Sequence, residues 1–286
     1  MFWLIKKIQY IINRLLFITV NYKNTEVTKN FVQSFESLQH SDQASIIIVD
    51  NDSTRESKII LNNIVKSSNV DIKIIISPKN LYYWGAANYA LDQIDLNANN
   101  HPEWIIICNN DILFSKKDLL SKIMNYNSKD YPVLAPAIFS SKTKKDLNPF
   151  MEKQINYLAK LYYSLFYINS ITGFIIYKFR QFLKMIVSIF NRSMTKSKFI
   201  YAPHGSFIIF SKNFFQSGGY LDQNLTMYGE EFTTGEIANK LKIPIYYEPD
   251  IEVVHVEHSS NKINWFNNFY LTKKAYYYFL KEYLND

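Results

Sequence analysis

The chain has 286 residues, of which 48% are hydrophobic and 20% are charged. This composition excludes a disordered chain, and the length fits one large α/β domain with additions. Cys108 is the only cysteine, which excludes an intramolecular disulfide. The net charge of +7 is unevenly distributed, because segment 1–16 carries +3 and segment 141–200 carries +9, so the rest of the chain is acidic. Basic residues among long aliphatic runs favour an anionic membrane surface over nucleic acid as a partner.

Segment 1–16 has the pattern of a basic amphipathic helix. Its leucines and isoleucines recur at helical spacing, and Lys6, Lys7 and Arg14 fall on the opposite face. The apolar part is too interrupted to span a bilayer, and it lacks the small-residue cleavage site of a signal peptide. We predict a helix that lies on an anionic membrane surface. A helix packed on the protein's own core is the alternative.

Segment 17–140 alternates strand and helix patterns. Short β-branched runs predict four strands, at 17–22, 45–50, 72–77 and 104–108. The stretches between them predict helices at 25–39, 54–67 and 85–95. This alternation is typical of a mostly parallel, Rossmann-like sheet with helices on both faces. Ligands of such sheets bind outside the carboxyl ends of the strands, which is where Asp50 and Asp111 stand.

Segment 141–198 interrupts the alternation. Residues 161–177 are uncharged but fall short of the ~20 apolar residues that a spanning helix needs. Basic residues then recur through 178–198. We predict an insertion of one or two helices at a membrane interface. A helical subdomain that packs on itself and a true membrane span are the alternatives.

Strand and helix patterns return in segment 199–260. A strand at 206–210, a helix at 230–241 and two short strands at 245–247 and 251–255 are predicted. Segment 261–286 predicts an aromatic-rich C-terminal helix over 264–282. The chain thus divides into an N-terminal helix, two α/β segments separated by the insertion, and a C-terminal helix.

Two positions in the first α/β segment are candidates for ligand binding. Asp50 follows a buried strand, and its carboxylate is able to accept a hydrogen bond from the imide N–H of a uracil or thymine ring. A helix N-cap is the alternative. Gly85 begins a run of small residues that lets a ligand approach the backbone closely. Tight helix–sheet packing is the alternative for that run.

Further positions carry candidate catalytic or metal-ligating groups. Asp111 ends the fourth strand and is a candidate ligand of Mg²⁺ or Mn²⁺, with diphosphate oxygens as the other ligands. Glu230 and Glu231 begin a helix, where they either complement the helix dipole or deprotonate an acceptor hydroxyl. His255, at a strand end, is either a second metal ligand or a structural residue.

Five motifs occur in the order and spacing of a known family. They are IIIVDNDS (46–53), NLYYWGAAN (80–88), CNND (108–111), GSFIIFSKNFFQSGGYLDQNLTMYGEE (205–231) and IPIYYEPDIEVVHVEHSS (243–260). On these motifs the sequence resembles the family 2 glycosyltransferases, which are inverting enzymes with the GT-A fold, and within them the rhamnosyltransferase-like bacterial branch. The resemblance covers roughly residues 17–140 and 199–260.

The resemblance implies a role for each motif. Asp50 would bind the nucleotide base, and Asp111 and His255 would bind the metal that bridges the diphosphate. Glu231 would be the catalytic base, with Glu230 as its rival. The other implied nucleotide-sugar-binding positions are Asn80, Gly85, Asn88 and Asn110, and the acceptor-side positions are Gly205 and Tyr228. Segment 17–140 would be the nucleotide-sugar-binding half, and segment 199–260 the acceptor and catalytic half.

The reaction that the resemblance implies is transfer of a sugar, with inversion, from a UDP- or dTDP-sugar to a glycan or lipid-linked acceptor. The cofactor would be Mg²⁺ or Mn²⁺. The setting would be bacterial surface polysaccharide synthesis, with the protein peripheral at the cytoplasmic face of the cell membrane. No nucleic acid partner is expected.

The sequence departs from the family pattern at three places. The metal motif is acidic only at its last position, Asp111, and the acidic pair, usually Glu-Asp, is Glu-Glu here. The third departure is the insertion. Two alternatives follow: a catalytically degenerate protein that binds a sugar nucleotide or a membrane, and a nucleotidyltransferase. The latter is disfavoured because residues 21–25, after the first strand, do not form a Gly- and Lys/Arg-rich phosphate loop.

Overall fold

The computed structural model describes residues 14–51, 54–96, 101–187, 196–257 and 264–284. Most of the predicted N-terminal helix of segment 1–16 therefore lies outside the described residues. Its last three residues are described, and the prediction of a helix is wrong for two of them, because Leu15 and Leu16 begin the first strand. Both are buried and continue the apolar run of that strand. A short apolar run of this kind fits a buried strand and a helix equally well.

A mixed sheet forms the centre of the described chain. Its nine strands are β1 Leu15–Asn21, β2 Ala44–Asp50, β3 Asp71–Ile76, β4 Trp104–Asn109, β5 Ile112–Leu113, β6 Val133–Ser140, β7 Lys198–Ile200, β8 Phe207–Ser211 and β9 Ile245–His255. The hydrogen-bonded order is β3-β2-β1-β4-β8-β6-β9-β5, and β7 pairs with β9 outside this path. β3, β2, β1 and β4 form a parallel half. β8 lies antiparallel between β4 and β6, so parallel pairing does not extend across the whole sheet.

The second half of the sheet is completed by one long strand. The sequence pattern predicts two short strands there, but β9 is continuous over Ile245–His255. β9 pairs in parallel with β6, and the register shifts between Pro136 and Ala137. Pro249 lies in the irregular part and lacks the N–H that a regular ladder needs. The long strand carries His255 beside β5, where it pairs with Ile112.

Helices cover both faces of the sheet. They are α1 Thr25–Glu36, α2 Arg55–Ser67, α3 Tyr82–Leu91, α4 Leu119–Met124, α5 Tyr157–Phe166, α6 Ser170–Val187, α7 Lys212–Gln216, α8 Glu230–Lys240 and α9 Trp265–Phe279. Phe31 in α1 and Leu61 in α2 are buried against one face. Trp84 in α3 and Phe279 in α9 are buried against the other. The predicted α/β class with helices on both faces is confirmed.

In the described residues, the predicted insertion contains two helices, α5 and α6. The segment that leads into α5 is attached to the body through a bridge between Met151 and Ala202. α6 packs closely on α9, because a Cβ at Gly173 would lie 2.5 Å from Cε2 of Phe269. Both helices nevertheless expose many large apolar side chains. Across the described ranges, no helix combines the length and apolarity needed to cross a bilayer.

The C-terminal helix α9 continues into a π-helical turn over Leu280–Leu284, and Asp222 ties this end to the body. The Asp222 residue is 3% exposed. Its Oδ2 accepts hydrogen bonds from the hydroxyls of Tyr278 at 2.8 Å and Tyr283 at 2.7 Å. Its Oδ1 accepts from the backbone N–H of Asn224 at 3.0 Å. One buried carboxylate therefore anchors the end of the described chain.

We expect Asp222→Ala to lower the free energy of unfolding by about 3 kcal/mol, because two buried tyrosine hydroxyls lose a shared acceptor. Urea denaturation followed by circular dichroism measures this. Asp250→Ala removes an exposed carboxylate and is the matched control, for which we expect a change below about 0.5 kcal/mol. Equal stability of the two variants would show that Asp222 does not anchor the helix.

Candidate active site

The carboxyl ends of three neighbouring parallel strands form the floor of the site. Asn21 at the end of β1 pairs with Asp50 at the end of β2, and Val20 pairs with Asn109 at the end of β4. Neighbouring strands lie about 4.8 Å apart. The register of the sheet therefore brings together polar residues that are far apart in the sequence.

Asp50 is fully buried at this edge. Its Oδ1 accepts a hydrogen bond from Nδ2 of Asn21 at 3.2 Å. Its Oδ2 is buried and has no hydrogen-bond partner within the described part of the chain. The next helix, α2, is capped by Thr54, so Asp50 is not an N-cap. A buried carboxylate oxygen that is left without a donor is costly, and a bound group with an N–H would satisfy it.

A hydrogen-bonded relay connects Asp50 to the motif at the end of β4. Thr28 Oγ1 donates to Oδ1 of Asn21 at 2.8 Å, and Nδ2 of Asn110 donates to Thr28 Oγ1 at 2.9 Å. Asn110, predicted as a nucleotide-sugar-binding residue, therefore uses its amide to fix the strand end. Asn21 and Thr28 are not among the predicted site residues, although Asn21 ends β1 and Thr28 lies in the helix that follows it.

The loop before α3 is organised by Asn51, which is also missing from the predicted residues. Its Oδ1 accepts from the backbone N–H of Leu81 at 2.8 Å, and its Nδ2 donates to Oδ1 of Asn80 at 3.0 Å. Oδ1 of Asn80 also accepts from the N–H of Tyr82 at 2.8 Å. The predicted residue Asn80 is thus joined to the site through Asn51 and holds the start of α3.

Two predicted residues in α3 have different surroundings. A Cβ at Gly85 would lie 3.5 Å from Cβ of Leu81, which is ordinary contact, so the packing of the described residues does not require glycine there. Asn88 donates to Oδ2 of Asp92 at 3.2 Å, one turn farther along the chain. This contact is with the helix itself and not with the other site residues. Ala86 and Ala87 are fully buried, as tight helix–sheet packing predicts.

Asp111 and His255 meet at the other side of β4. Oδ1 of Asp111 and Nε2 of His255 are 3.0 Å apart, and their side chains are only 10% and 12% exposed. The pairing of β5 with β9 brings them together. Nδ2 of Asn109 lies 3.4 Å from the same His255 nitrogen. One carboxylate oxygen and one imidazole nitrogen therefore point to a common position.

This donor set fits a divalent cation that is held only partly by the protein. Carboxylate oxygen suits Mg²⁺ and Mn²⁺, and imidazole nitrogen suits transition metals. In the described ranges no cluster of three or more His, Cys, Asp or Glu side chains is close enough to hold an ion. Asp111 and His255 would thus supply two ligands, and phosphate oxygens or water would supply the rest.

His204 is a further residue of the site that the sequence did not reveal. Its ring centroid lies 6.1 Å from that of His255, and its Nδ1 is 2.9 Å from the hydroxyl of Ser206. Burial, and secondly the charge of His255, lower the pKa of His204 to about 4. The imidazole is therefore neutral at ordinary pH. Its position directly before Gly205 is the only sequence signal that could have identified it.

The acidic pair begins helix α8, after a turn in which Tyr228 and Gly229 have φ of 64° and 96°. Oε1 of Glu231 accepts a hydrogen bond from the N–H of Gly205 at 3.2 Å. A Cβ at Gly205 would lie 2.5 Å from Cγ of Glu230. Gly205 therefore supplies both a donor for Glu231 and the space that Glu230 occupies.

The two carboxyl groups have different proton affinities. Burial, and secondly the negative charge of Glu231, raise the pKa of Glu230 to about 8. Burial also raises the pKa of Glu231, while the N–H groups of Gly205 and Gly229 oppose that shift. Because the charge of Glu231 acts on Glu230, Glu231 ionises first. With its pKa raised to about 8, Glu230 carries a proton at neutral pH.

Asn109 connects the surroundings of the acidic pair with the candidate metal ligands, because its Nδ2 lies 3.4 Å from Nε2 of His255. Glu230, Tyr228 and Asn109 line a cavity of about 170 Å³. The N–H of Asn109 donates to the carbonyl of Ser206 at 2.9 Å, next to Gly205. Together with the relay to Asp50, these contacts link the four principal predicted residues. Asp111 and His255 can hold a cation, and the acidic pair can accept a proton.

A mixed α/β sheet with carboxylates at its carboxyl edge and an acidic pair at the start of a later helix is the arrangement of a glycosyltransferase of the GT-A type. The particular family is also clear, because the Glycosyl transferase family 2 model matches residues 17–200. The chain belongs to this family, which excludes the nucleotidyltransferase alternative. The low-salt glycan biosynthesis hexosyltransferase Agl10 of Haloferax volcanii is 23% identical over 252 residues, which cover 86% of this chain and 68% of that relative.

Solved structures support the fold assignment. The mannosyltransferase PcManGT of Pyrobaculum calidifontis, solved with GDP-Man and Mn²⁺, superposes with a TM-score of 0.55 at 13% identity and covers 92% of this chain and 69% of its own. GalNAc-T7, solved with UDP, GalNAc and Mn²⁺, superposes with a TM-score of 0.61 at 13% identity. The match covers 93% of this chain and 48% of the GalNAc-T7 chain. These likenesses confirm the GT-A fold.

Proposed function

We propose that this glycosyltransferase is a metal-dependent, inverting hexosyltransferase that uses a nucleoside diphosphate sugar. The observation that carries the proposal is the 3.0 Å approach of Asp111 Oδ1 to His255 Nε2. Asn109, which contacts His255, lines a cavity together with Glu230. The solved relatives contain Mn²⁺ together with GDP-Man or with UDP, which supports a divalent cation and a nucleotide donor here.

The nucleotide base of the donor is proposed to bind at Asp50. Oδ2 of this carboxylate, which has no hydrogen-bond partner among the described residues, would accept a hydrogen bond from the imide N–H of uracil or thymine. Asn21 holds the other oxygen in place. A carboxylate acceptor matches the imide N–H of a pyrimidine, which supports UDP- or dTDP-sugars. Guanine also has a ring N–H, so a GDP-sugar belongs in any test of the donor.

The diphosphate is proposed to lie between Asp111, His255 and Asn109. A divalent cation bound there would neutralise the charge that grows on the leaving diphosphate. Asp111 supplies the negative charge that attracts the cation, and His255 supplies an imidazole nitrogen ligand. His204, neutral at ordinary pH with its pKa lowered to about 4, adds no positive charge that would compete with the cation.

Glu231 is proposed as the catalytic base. It ionises before Glu230, and the N–H of Gly205 orients its carboxylate. Glu231 takes the proton from the acceptor hydroxyl while the hydroxyl oxygen attacks the anomeric carbon from the face opposite the diphosphate. The new C–O bond forms as the bond to the diphosphate breaks, so the anomeric configuration inverts. Glu230 stays the rival for this role.

The donor test uses the full chain with UDP-, dTDP- and GDP-sugars, each with and without Mn²⁺. We expect thermal stabilisation by a pyrimidine nucleotide sugar only when the metal is present. Release of nucleoside diphosphate with a glycan acceptor then measures turnover. Binding without turnover would select the catalytically degenerate alternative, and absence of binding by every donor would contradict the proposal.

Membrane attachment is a separate proposal. α6 exposes Ile171, Ile175 and Phe179 at spacings of four residues, with exposed fractions of 70%, 62% and 62%. Lys178 and Arg180 lie on the same helix. Apolar side chains flanked by cations match an interface with anionic lipids. We propose that the protein is peripheral at the cytoplasmic face of a membrane, where it acts on a lipid-linked or glycan acceptor.

We expect the triple variant Ile171→Ser, Ile175→Ser, Phe179→Ser to bind anionic liposomes at least about tenfold more weakly, because three inserted apolar side chains are lost. Co-sedimentation at low salt measures this. Ile59→Ser with Ile76→Ser removes exposed isoleucines from the α/β body, at 54% and 52% exposure, and is the control. No binding of the unmodified protein, or equal binding of both variants, would reject α6 as the membrane contact.

The resemblance to the rhamnosyltransferase-like branch also suggests a rhamnosyl donor and a role in bacterial surface polysaccharide synthesis. The named relative is an archaeal hexosyltransferase of glycan biosynthesis, which supports glycan synthesis as the general process. Including dTDP-rhamnose in the donor panel tests the narrower proposal directly.

A further inference from the structure

Gly205 lies where α3, α8 and β4 meet. Its N–H donates to Oε1 of Glu231 in α8 at 3.2 Å, and its carbonyl accepts a hydrogen bond from the hydroxyl of Tyr83 in α3, also at 3.2 Å. The carbonyl of the next residue, Ser206, accepts from the N–H of Asn109 in β4 at 2.9 Å. The two peptide groups that flank the Cα of Gly205 are therefore held by different helices.

A glycine depends on such restraints more than other residues do. Without a Cβ, its φ and ψ angles are less restricted, and rotation about these bonds would turn the N–H away from Glu231. A side chain cannot supply the restraint here, because a Cβ at Gly205 would lie 2.5 Å from Cγ of Glu230. Hydrogen bonds to the backbone of Gly205 have to fix its orientation instead.

The hydroxyl of Tyr83 is a permanent donor for this purpose. The ring of Tyr83 stacks on that of Trp84, with centroids 5.5 Å apart and an interplanar angle of 5°, which limits the movement of the phenol. Burial, and then the charges of neighbouring groups that include Cys108, Glu230 and Asp111, raise the pKa of the phenol well above its ordinary value. The phenol therefore stays protonated at ordinary pH and does not act as a base.

The position of Tyr83 also connects two motifs of the sequence. It is the second residue of α3 and follows Tyr82, whose N–H donates to Oδ1 of Asn80 at 2.8 Å. Tyr83 lines the cavity of about 170 Å³ together with Asn109 and Glu230. One hydroxyl thus joins the loop of the predicted donor motif to the backbone that orients the acidic pair.

We propose that Tyr83 is a positioning residue for glycosyl transfer: its hydroxyl fixes Gly205, and Gly205 fixes the carboxylate of Glu231. This inference rests on the proposed function, in which Glu231 is the base. The proton of the acceptor hydroxyl still passes to Glu231, and Tyr83 keeps its own proton throughout. The contribution of Tyr83 is to hold the base in the orientation that the transition state requires.

The first test compares two tyrosine variants of the full chain. Tyr83→Phe keeps the ring and removes only the hydroxyl. We expect kcat to fall at least about tenfold, whereas KM for donor and acceptor changes less than about twofold, because a poorly oriented base destabilises the transition state without changing substrate binding. Tyr89→Phe makes the same change farther along α3. It is the matched control and should have the kinetics of the unmodified chain.

Exchange of the Gly205 amide proton with solvent gives a readout that does not depend on turnover. NMR on the full chain measures this exchange. We expect it to be at least about fivefold faster in Tyr83→Phe than in Tyr89→Phe, because local opening of the hydrogen bond to Glu231 controls the exchange rate.

The Glu231→Gln background separates action through Glu231 from a general structural effect. In that background, Tyr83→Phe should change kcat by less than about twofold, because no catalytic carboxylate remains at position 231 for Gly205 to orient. A loss as large as that seen with Glu231 present would show that the hydroxyl acts independently of Glu231, and it would overturn the inference.

The remaining outcomes distinguish this inference from the proposed function. Full activity of Tyr83→Phe, a higher KM at unchanged kcat, or equal exchange of the Gly205 amide in both tyrosine variants overturns the inference. The proposed function still stands in each of these cases if Glu231→Gln loses activity. No turnover of any nucleotide sugar by the unmodified chain rejects the proposed function, and full activity of Glu231→Gln rejects Glu231 as the base. The inference fails in both of those cases.

Discussion

Asp111→Asn is expected to lower kcat/KM for glycosyl transfer by about 10³-fold, because the cation that stabilises the leaving diphosphate would lose its charged ligand. Asparagine has nearly the same shape, so the pairing of β5 with β9 should persist. His255, 3.0 Å from the carboxylate, would remain as a ligand. A weakened site should therefore show as a higher Mn²⁺ concentration for half-maximal activity, measured in steady-state assays across a metal titration.

The control for this prediction is Asp118→Asn. Asp118 is 50% exposed and pairs with Lys122 one turn away in α4, so its charge has no contact with the proposed site. We expect unchanged kinetics for this variant. If Asp111→Asn keeps full activity and the same Mn²⁺ dependence, Asp111 is not a metal ligand and the mechanism proposed above is wrong.

Glu231→Gln is expected to lower kcat by about 10³-fold, because an amide does not accept the proton of the acceptor hydroxyl. Glu230→Gln is expected to cause a smaller loss, since Glu230 carries a proton at neutral pH, with its pKa raised to about 8. Measuring kcat and KM for the donor in both variants identifies the base. A larger loss for Glu230→Gln would assign the role to Glu230.

The same pair gives a stability prediction with a definite sign. The pKa of Glu230 is about 8 in the folded chain and about 4.5 in the unfolded chain. The unfolded state therefore releases this proton at lower pH, so the stabilising contribution of protonated Glu230 is present below about pH 4.5 and disappears as pH rises to about 8. We expect Glu230→Gln to be more stable than the unmodified chain at pH 8 but not at pH 4. Thermal unfolding at both values tests this, and Glu56→Gln, in the exposed first turn of α2, is the control.

The sequence predicted the parallel half of the sheet well because its strands are uninterrupted β-branched runs. Asp50 and Asp111 follow such runs directly, so the strand pattern alone places both at the carboxyl edge. Their roles came from the resemblance and not from the pattern. Leu15 and Leu16 were assigned to the wrong element, because leucine pairs satisfy helical and strand periodicity equally in a short segment.

The supporting contacts of the site were not predictable from local pattern. Thr28 binds Asn110 across 82 residues of sequence, and only the sheet register reveals that they are neighbours. Asn51 stands beside Asp50 in the chain, but its side chain is committed to Asn80 and Leu81 in a later loop. His204 belongs to no motif. These residues become neighbours only in the folded chain, and a single sequence does not show which distant residues will be neighbours.

Asp111 and His255, the two proposed metal ligands, are held together by a ladder of two residue pairs, Ile112 with His255 and Leu113 with Val254. Successive side chains of a strand point to opposite sides, so a slip of one residue would turn the imidazole away from Asp111. A bound cation would then stabilise only the correct register of β5 against β9. An ion that binds only the correctly paired form would favour that form by mass action. A chain cut before β9 would lack His255, one of the two proposed metal ligands.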